Sequence, residues 1–203
     1  MGKYRKMLLF CLVLTLTVWA CALIADKQAL RQELVRLHVV AASDSAEDQE
    51  IKLRVKDAVV ESLNAELAGL HNAEEAKRYL KENLPKIESI ANRVLQESGC
   101  EDTATVSLML EEFSTRVYDT FTLPAGLYES LRITIGDGAG QNWWCVVFPS
   151  LCLPSTTEGF EEAASCAGFS DSLTAALDGA QGYEIRFWVL DALGRVENFL
   201  HRS

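Results

Sequence analysis

The sequence predicts an α+β domain in which two or three helices cover one face of a mostly antiparallel sheet, preceded by an N-terminal transmembrane or signal helix. Three observations predict it: an uncharged apolar run at residues 7–25, helical repeats between residues 45 and 99, and alternating apolar segments after residue 99. A chain of 203 residues, 49% of them apolar, suits a short appendage at 1–25 and one domain at 26–203.

The first 25 residues are expected to form a signal peptide or a membrane anchor. Three basic residues stand before the apolar run: Lys3, Arg5 and Lys6. A basic flank and about 19 apolar residues are typical of both structures. Ala20-Cys21-Ala22 fits the small-x-small pattern that signal peptidase cleaves, so a cleaved signal and an uncleaved anchor are both possible. Residues 18–21 loosely resemble a lipoprotein cleavage box, but the bulky Trp19 beside the cleavage point argues against lipidation. Either form exports the remainder.

The exported part is strongly acidic. Removing residues 1–25 takes away three basic and no acidic groups, which leaves 16 Lys and Arg against 29 Asp and Glu, a net charge near −13. Such a domain lacks the positive charge that holds phosphate backbones or anionic lipid heads. This charge disfavours both nucleic-acid binding and peripheral membrane binding of the domain, and membrane contact is expected through the N-terminal helix.

The domain is predicted to open with a strand and two helices. Branched residues indicate a strand from Glu33 to Ala42. Ser45 and Asp48 resemble a capping box, and apolar residues then recur every three or four positions until Gly69, which suits a left-handed C-cap. The second helix begins after the cap Asn72 and ends at Gly99, with a kink or restart expected at Pro85.

The period then changes to that of strands. Residues 103–113 alternate, and residues 131–135 and 143–148 predict two further strands. The three glycines of residues 136–142 predict a hairpin loop between these two strands.

The C-terminal part has a weaker pattern. Residues 170–177 predict a short helix. Tyr183, Ile185, Phe187 and Val189 share one face of a predicted last strand, and residues 190–201 predict a terminal helix.

Adjacent tryptophans mark the strand at residues 143–148. Trp143 and Trp144 must point to opposite faces of the sheet, so one can pack in the core while the other faces water, as interface anchors do. Asn142 before them suits a turn. Gly136, Gly138 and Gly140 resemble a phosphate loop only superficially, because they join strands and no Gly-Lys-Ser/Thr follows.

Four cysteines lie outside the apolar segment: Cys100, Cys145, Cys152 and Cys166. In an oxidising space they allow up to two disulfides with three connectivities, of which Cys145 with Cys152 is favoured. An extended chain would hold this pair roughly 23 Å apart, so the chain must fold back at Pro149-Ser150. A catalytic Cys145 would need a base, for which His38 is the best placed.

An acidic cluster precedes the first helix of the domain: Asp44, Glu47, Asp48 and Glu50. It could bind a cation. Capping of amides and complementing the helix dipole explain it more simply.

Two stretches of the chain resemble the stage II sporulation protein R family. The first covers residues 36–59 and contains Arg-Leu-His-Val-Val-Ala-Ala-Ser-Asp-Ser at 36–45, followed by Asp48-Gln49. The second covers residues 123–152 and contains Leu-Pro-Ala-Gly at 123–126 and Asn-Trp-Trp-Cys at 142–145. The chain departs from the family pattern at three positions: Ala42 stands for the usual Asn, Gln141 for a frequent Lys and Ser150 for a common Pro.

The resemblance implies a non-enzymatic signalling protein without cofactor or metal. It implies export from the forespore into the intermembrane space and activation of a membrane-embedded aspartic protease of the mother cell, stage II sporulation protein GA, so that pro-sigma-E is processed. The candidate partner-binding residues are Asp44, Asp48, Gln49, Asn142, Trp143 and Trp144. The alternatives are an extracytoplasmic cysteine hydrolase acting on the cell wall through Cys145 and His38, and a passive structural domain.

Overall fold

The computed structural model describes residues 2–118, 121–149, 169, 171–177 and 185–202, and it confirms the predicted α+β class. Its helices are α1 (Gly2–Glu33), α2 (Ala46–Leu67), α3 (Ala73–Glu97), α4 (Asp171–Leu177) and α5 (Ile185–His201). Its strands are β1 (Val35–Val40), β2 (Ala104–Phe113), β3 (Arg116–Val117), β4 (Thr122–Leu123), β5 (Gly126–Ile135) and β6 (Asn142–Phe148).

Four strands form a mixed sheet in the order β2-β5-β1-β6. β1 pairs parallel with β5 and antiparallel with β6, and β2 pairs antiparallel with β5. β3 and β4 form a separate two-stranded ribbon. The sheet is therefore mostly antiparallel, with one parallel pair at its centre.

The predicted hairpin between β5 and β6 is wrong, because β1 lies between these strands. The connecting loop instead crosses the C-terminal end of β1, where the amides of Ala139 and Gly140 donate to the carbonyls of Ala42 and Ala41 at 3.2 and 2.9 Å. A Cβ on Gly140 would lie 2.2 Å from the Ser43 carbonyl oxygen. The glycine therefore allows a close chain crossing, which the sequence pattern alone cannot distinguish from a tight turn.

One face of the sheet packs on α2 and α3 in an apolar core. From β1 this core takes Val35, Leu37 and Val39, all fully buried. The helices contribute residues at helical spacing that include Val55, Val59, Leu80, Ile87 and Ala91. This is the helical cover that the sequence predicts.

The opposite face is also covered, which the sequence analysis did not predict. Its core joins the C-terminal part of α1 to α4, α5 and aromatic residues of the strands: Leu23, Leu30, Phe113, Tyr128, Leu173, Leu177, Phe187 and Leu190. The sheet is therefore the middle layer of three.

The helix ends follow their predicted caps with one exception. Ser45 accepts a hydrogen bond from the Asp48 amide, Asn72 accepts one from the Glu75 amide, and Gly99 closes α3 with a φ of 70°. The left-handed cap predicted at Gly69 is wrong, because α2 ends at right-handed Ala68, whose amide still bonds Asn64. α3 runs through Pro85 without restarting.

The predicted strand at residues 183–189 is wrong over its described part, because Ile185–Val189 begins α5. Phe187, Leu190 and Asp191 are buried together, which is helical spacing, and the apparent alternation arises from the first turn of an apolar helix. Tyr183 lies outside the described residues. The helix predicted at residues 170–177 is confirmed over its described part, Asp171–Leu177, and the helix predicted at residues 190–201 is confirmed as part of α5.

α1 extends beyond the predicted apolar segment. The helix is long and apolar enough to cross a membrane, and almost all of its apolar part is exposed. It then continues to Glu33, and Leu23 and Leu30 are buried against the domain. Packing therefore begins directly after the predicted cleavage point at Ala22.

Candidate functional site

Two loops meet at the C-terminal end of β1 and bring the two family-like stretches together. The loop after β1 carries Asp44, whose Oδ1 accepts a hydrogen bond from the Gln141 amide at 2.8 Å. The loop before β6 carries Gln141, whose carbonyl accepts from the Ala41 amide at 3.4 Å. Residues about 100 positions apart in sequence therefore form one surface at this end of the sheet.

The buried Lys52 of α2 clamps these loops. Its Nζ donates to Gln49 Oε1 at 2.6 Å and to the Gln141 carbonyl at 3.1 Å, so it ties the second loop to the first turn of α2, where Gln49 in turn bonds the first loop. The residue is only 4% exposed, and this burial lowers the pKa of Lys52, which the charge of Asp44 partly offsets. A single ammonium group thus fixes the relative position of both loops.

Asp48 and Gln49 shape the first loop from inside. Ser43 Oγ donates to the Asp48 carboxylate and accepts from the Ser45 amide at 3.1 Å, while Gln49 Nε2 donates to the Ser43 carbonyl at 2.9 Å. Asp48 and Gln49, both predicted to bind a partner, therefore help to fix the conformation of this loop.

No metal site is found at the acidic cluster: within the described ranges, no group of His, Cys, Asp and Glu side chains is arranged to hold a metal ion.

The two tryptophans point to opposite faces, as predicted. Trp143 remains 37% exposed on the α2 side, where the Lys56 ammonium lies 5.0 Å from its ring centroid. Trp144 is half-buried on the other side, where its ring stacks on His38 with centroids 3.7 Å apart. Among the six candidate residues, Trp143 therefore offers the large exposed aromatic surface that partner binding requires.

A polar cluster that the sequence analysis missed lies under Trp144. His38 Nε2 is 2.8 Å from Asn142 Oδ1 and its Nδ1 is 3.2 Å from the Glu111 carboxylate, which also accepts from Arg132 Nη1 at 2.9 Å. Burial raises the pKa of Glu111, but the hydrogen bond with His38 and the neighbouring charge of Arg132 outweigh it and lower the pKa overall. In the alternation of β2, Glu111 is in phase with Thr105 and Ser107, which indicates an exposed side chain, so the pattern does not reveal this cluster.

Arg36 lies deeper on the same face and is fully buried. Its guanidinium packs over the Phe113 ring at 4.0 Å and donates from Nη2 to Tyr118 Oη at 2.6 Å. Nε and Nη1 have no hydrogen-bond partner, and burial lowers the pKa of Arg36. Aromatic rings thus provide most of the environment of this cation.

Cys145 and His38 lie on opposite faces of the sheet. In the β1–β6 register Cys145 is opposite Leu37 and His38 is opposite Trp144, and directly opposed residues share a face. Cys145 accordingly belongs to the apolar core with α2 and α3. The Cys145–His38 pair that the hydrolase hypothesis requires does not form in this structure.

Cys145 is 4% exposed and disulfide-bonded, and its partner lies outside the described residues. Cys152 and Cys166 lie there too, so the Cys145–Cys152 pairing stays a prediction. Cys100 has a free thiol.

Comparison with known proteins gives two matches. The model of the family described as Stage II sporulation protein R matches residues 31–158. The curated protein Stage II sporulation protein R of Bacillus subtilis (strain 168) is 36% identical over 127 residues, which are 63% of this chain and 57% of that protein. The chain thus spans little more than half the length of this relative in the match. No solved structure matches the chain.

Proposed function

The chain belongs to the stage II sporulation protein R family, and from this premise we propose that it is an exported signalling protein of endospore formation. It acts from the forespore in the intermembrane space. There it binds the membrane-embedded aspartic protease of the mother cell, stage II sporulation protein GA, and activates it by contact, so that pro-sigma-E is processed.

Export is supported by the composition of α1. A basic start and an apolar helix able to cross a membrane precede a folded domain with net charge near −13. The domain begins to pack at Leu23, so both the anchored and the cleaved form leave it complete. Signalling by contact across a space between two membranes is compatible with either form.

The carrying observation is that the two family-like stretches converge on one exposed surface. We call it the loop surface and define it by Asp44, Gln141, Trp143 and Lys56. Its two loops are locked from within by Lys52, so an incoming partner meets a preorganised surface and loses less conformational entropy on binding. Trp143 is the expected anchor.

The separation of Cys145 from His38 further favours binding over hydrolysis through this pair. A nucleophile and its base must approach to hydrogen-bond distance, or be bridged by one water, and opposite faces of a sheet prevent both. We therefore expect the loop surface to act by binding the protease and not by catalysing hydrolysis.

The first experiment tests export. A spore-forming host that lacks its own protein of this family is complemented with the full chain or with Leu12→Arg/Leu16→Arg, which places charges in the apolar helix. We expect the wild type to restore pro-sigma-E processing and the variant to fail, because charged residues at the centre of a span oppose insertion. Immunoblots of pro-sigma-E and protease accessibility of the domain give the readout. Normal processing with the variant confined to the cytoplasm of the producing cell would refute the proposal.

The second experiment tests the loop surface in the same host. Trp143→Ala should reduce processing and co-purification with the protease by roughly tenfold or more, because truncating an aromatic anchor commonly costs at least 2 kcal/mol. Leu53→Ala is the matched control, since Leu53 of α2 is also a large apolar residue with a similar exposed fraction of 38%. Unchanged co-purification of a folded Trp143→Ala protein would assign recognition to another surface.

A further inference from the structure

Helix α5 is apolar on two opposite sides. One side packs on the domain through Phe187 and Leu190. The other side is exposed over the whole helix length at Trp188, Val196, Phe199 and Leu200, with exposed fractions of 56–70%. Positions 188, 192, 196, 199 and 200 follow helical spacing, so these side chains form one continuous stripe. The exposed side of a helix on a soluble domain normally carries polar residues.

The position of α5 beside α1 indicates what covers the stripe. Glu197 of α5 forms ion pairs with Lys27 at 3.1 Å and Arg31 at 3.8 Å. Lys27 follows Ile24, the last large exposed apolar residue of α1, by about 4.5 Å along the helix axis. That distance is within the thickness of the lipid headgroup layer, so the turn of α5 around Glu197 lies at the level where amphipathic helices contact a bilayer.

We propose that the apolar stripe of α5, defined by Trp188, Val196, Phe199 and Leu200, docks on the surface of the same lipid bilayer that α1 enters. Tryptophan beside aliphatic side chains is typical of this interface. The two acids on α5 do not oppose it, because Asp191 is paired with Arg195 and Glu197 with Lys27. The overall negative charge excludes electrostatic attraction as the cause, and the contact is apolar. The inference is independent of the signalling function.

Docking of α5 has a consequence for the fate of the N-terminal segment. If signal peptidase cuts after Ala22, residues 23–203 lose the spanning helix but keep the stripe. The cleaved domain therefore stays on the membrane surface instead of diffusing away.

The test uses the full chain with a protease recognition sequence inserted between Ala22 and Leu23. The protein is reconstituted into vesicles of phosphatidylethanolamine and phosphatidylglycerol, cut, and sedimented. We expect the wild-type domain to sediment with the vesicles. In Val196→Asp/Phe199→Asp the partition coefficient should fall by roughly tenfold or more, because two apolar side chains are lost from the interface.

Two further variants control for charge and folding. Leu53→Asp/Met109→Asp adds the same charge at two exposed apolar positions outside α5 and should bind like wild type. Val196→Ser/Phe199→Ser removes apolar surface without charge and should also be released, with circular dichroism checking the fold of each. Release of the wild-type domain after cutting would overturn the proposal. Release specifically as a dimer would overturn it too and assign the stripe to a second copy.

Discussion

The two faces of the sheet are built from the same strands but differ in chemistry. On the side of α2 and α3, β1 contributes Val35, Leu37 and Val39, and Lys52 at the rim is the buried charged residue among those described. On the side of α1 and α5, the same strand contributes Arg36 and His38. The buried polar residues on or against that side are Asp26, Arg36, His38, Ser130 and Asp191.

This difference indicates that the two faces have different roles in the fold. The apolar face supplies stability, because its residues interdigitate without polar groups to satisfy. On the polar and aromatic face, burying charged and polar groups costs desolvation free energy. The geometry of that face is set by hydrogen bonds and ring contacts that require particular partners. Four changes test this comparison, from the largest expected effect to the smallest.

Leu37→Ala should have the largest effect. Leu37 is fully buried at the centre of the apolar face, and its truncation leaves a cavity among α2, α3 and the sheet. We expect the free energy of unfolding to fall by about 2–5 kcal/mol, measured by urea denaturation. Leu53→Ala, exposed on α2, should change it by less than about 0.5 kcal/mol. Similar losses from both variants would contradict the assignment of stability to this face.

Glu111→Gln should have the next largest effect, about 1–3 kcal/mol at neutral pH. The carboxylate is the shared acceptor of Arg132 and a neighbour of His38, and an amide cannot replace the charge. The loss should exceed that of an exposed acid such as Glu74→Gln, measured in the same urea titration. An effect no larger than that of Glu74→Gln would show that this polar cluster contributes nothing to stability.

The same variant gives a pH test with a definite sign. Because the pKa of Glu111 is lowered in the folded state, its ionisation stabilises the fold above the unfolded-state pKa, and this contribution is lost as pH falls through the folded pKa. The difference in unfolding free energy between wild type and Glu111→Gln should therefore shrink on acidification below about pH 4.3. A difference that stays constant down to pH 2 would contradict the lowered pKa.

Lys52→Met should cost about 1 kcal/mol, because it removes two hydrogen bonds but keeps most of the buried stem. Its larger consequence is local: the amides of Gln141 and Asn142 should exchange with solvent faster than in wild type, because the second loop loses its tie to α2. Hydrogen exchange with mass spectrometry measures this. Lys86→Met, exposed on α3, should leave exchange in both loops unchanged.

The helical half of the fold was predictable because its signals are local. Ser45 and Asn72 cap their helices through residues three positions away, and the apolar repeats of α2 and α3 need no knowledge of the sheet. The order of the strands was not predictable in this way. The insertion of β1 between β5 and β6 depends on pairing across about 100 residues, while the glycines of the connecting loop indicated only a sharp change of direction.

The same distinction between local and long-range signals applies to the candidate site. Trp143 and Trp144 could be assigned to opposite faces from strand geometry alone. The contact of Asp44 with Gln141 and the clamp by Lys52 could not, because both depend on that long-range crossing. α5 was partly mistaken for a strand because its two apolar sides give an alternation over a few residues as well as a helical repeat.

Arg36→Met should have the smallest effect, although Arg36 is among the largest fully buried side chains. The native guanidinium is desolvated and leaves Nε and Nη1 without hydrogen-bond partners, so its removal relieves a cost while Met retains the packing over Phe113. We expect the free energy of unfolding to change by less than about 1 kcal/mol in either direction. Arg36→Ala, which also removes the packing volume, should lose considerably more. If Met and Ala destabilise equally, the cation itself stabilises this face through its ring contacts and its bond to Tyr118, and the contrast between the two faces is one of composition alone.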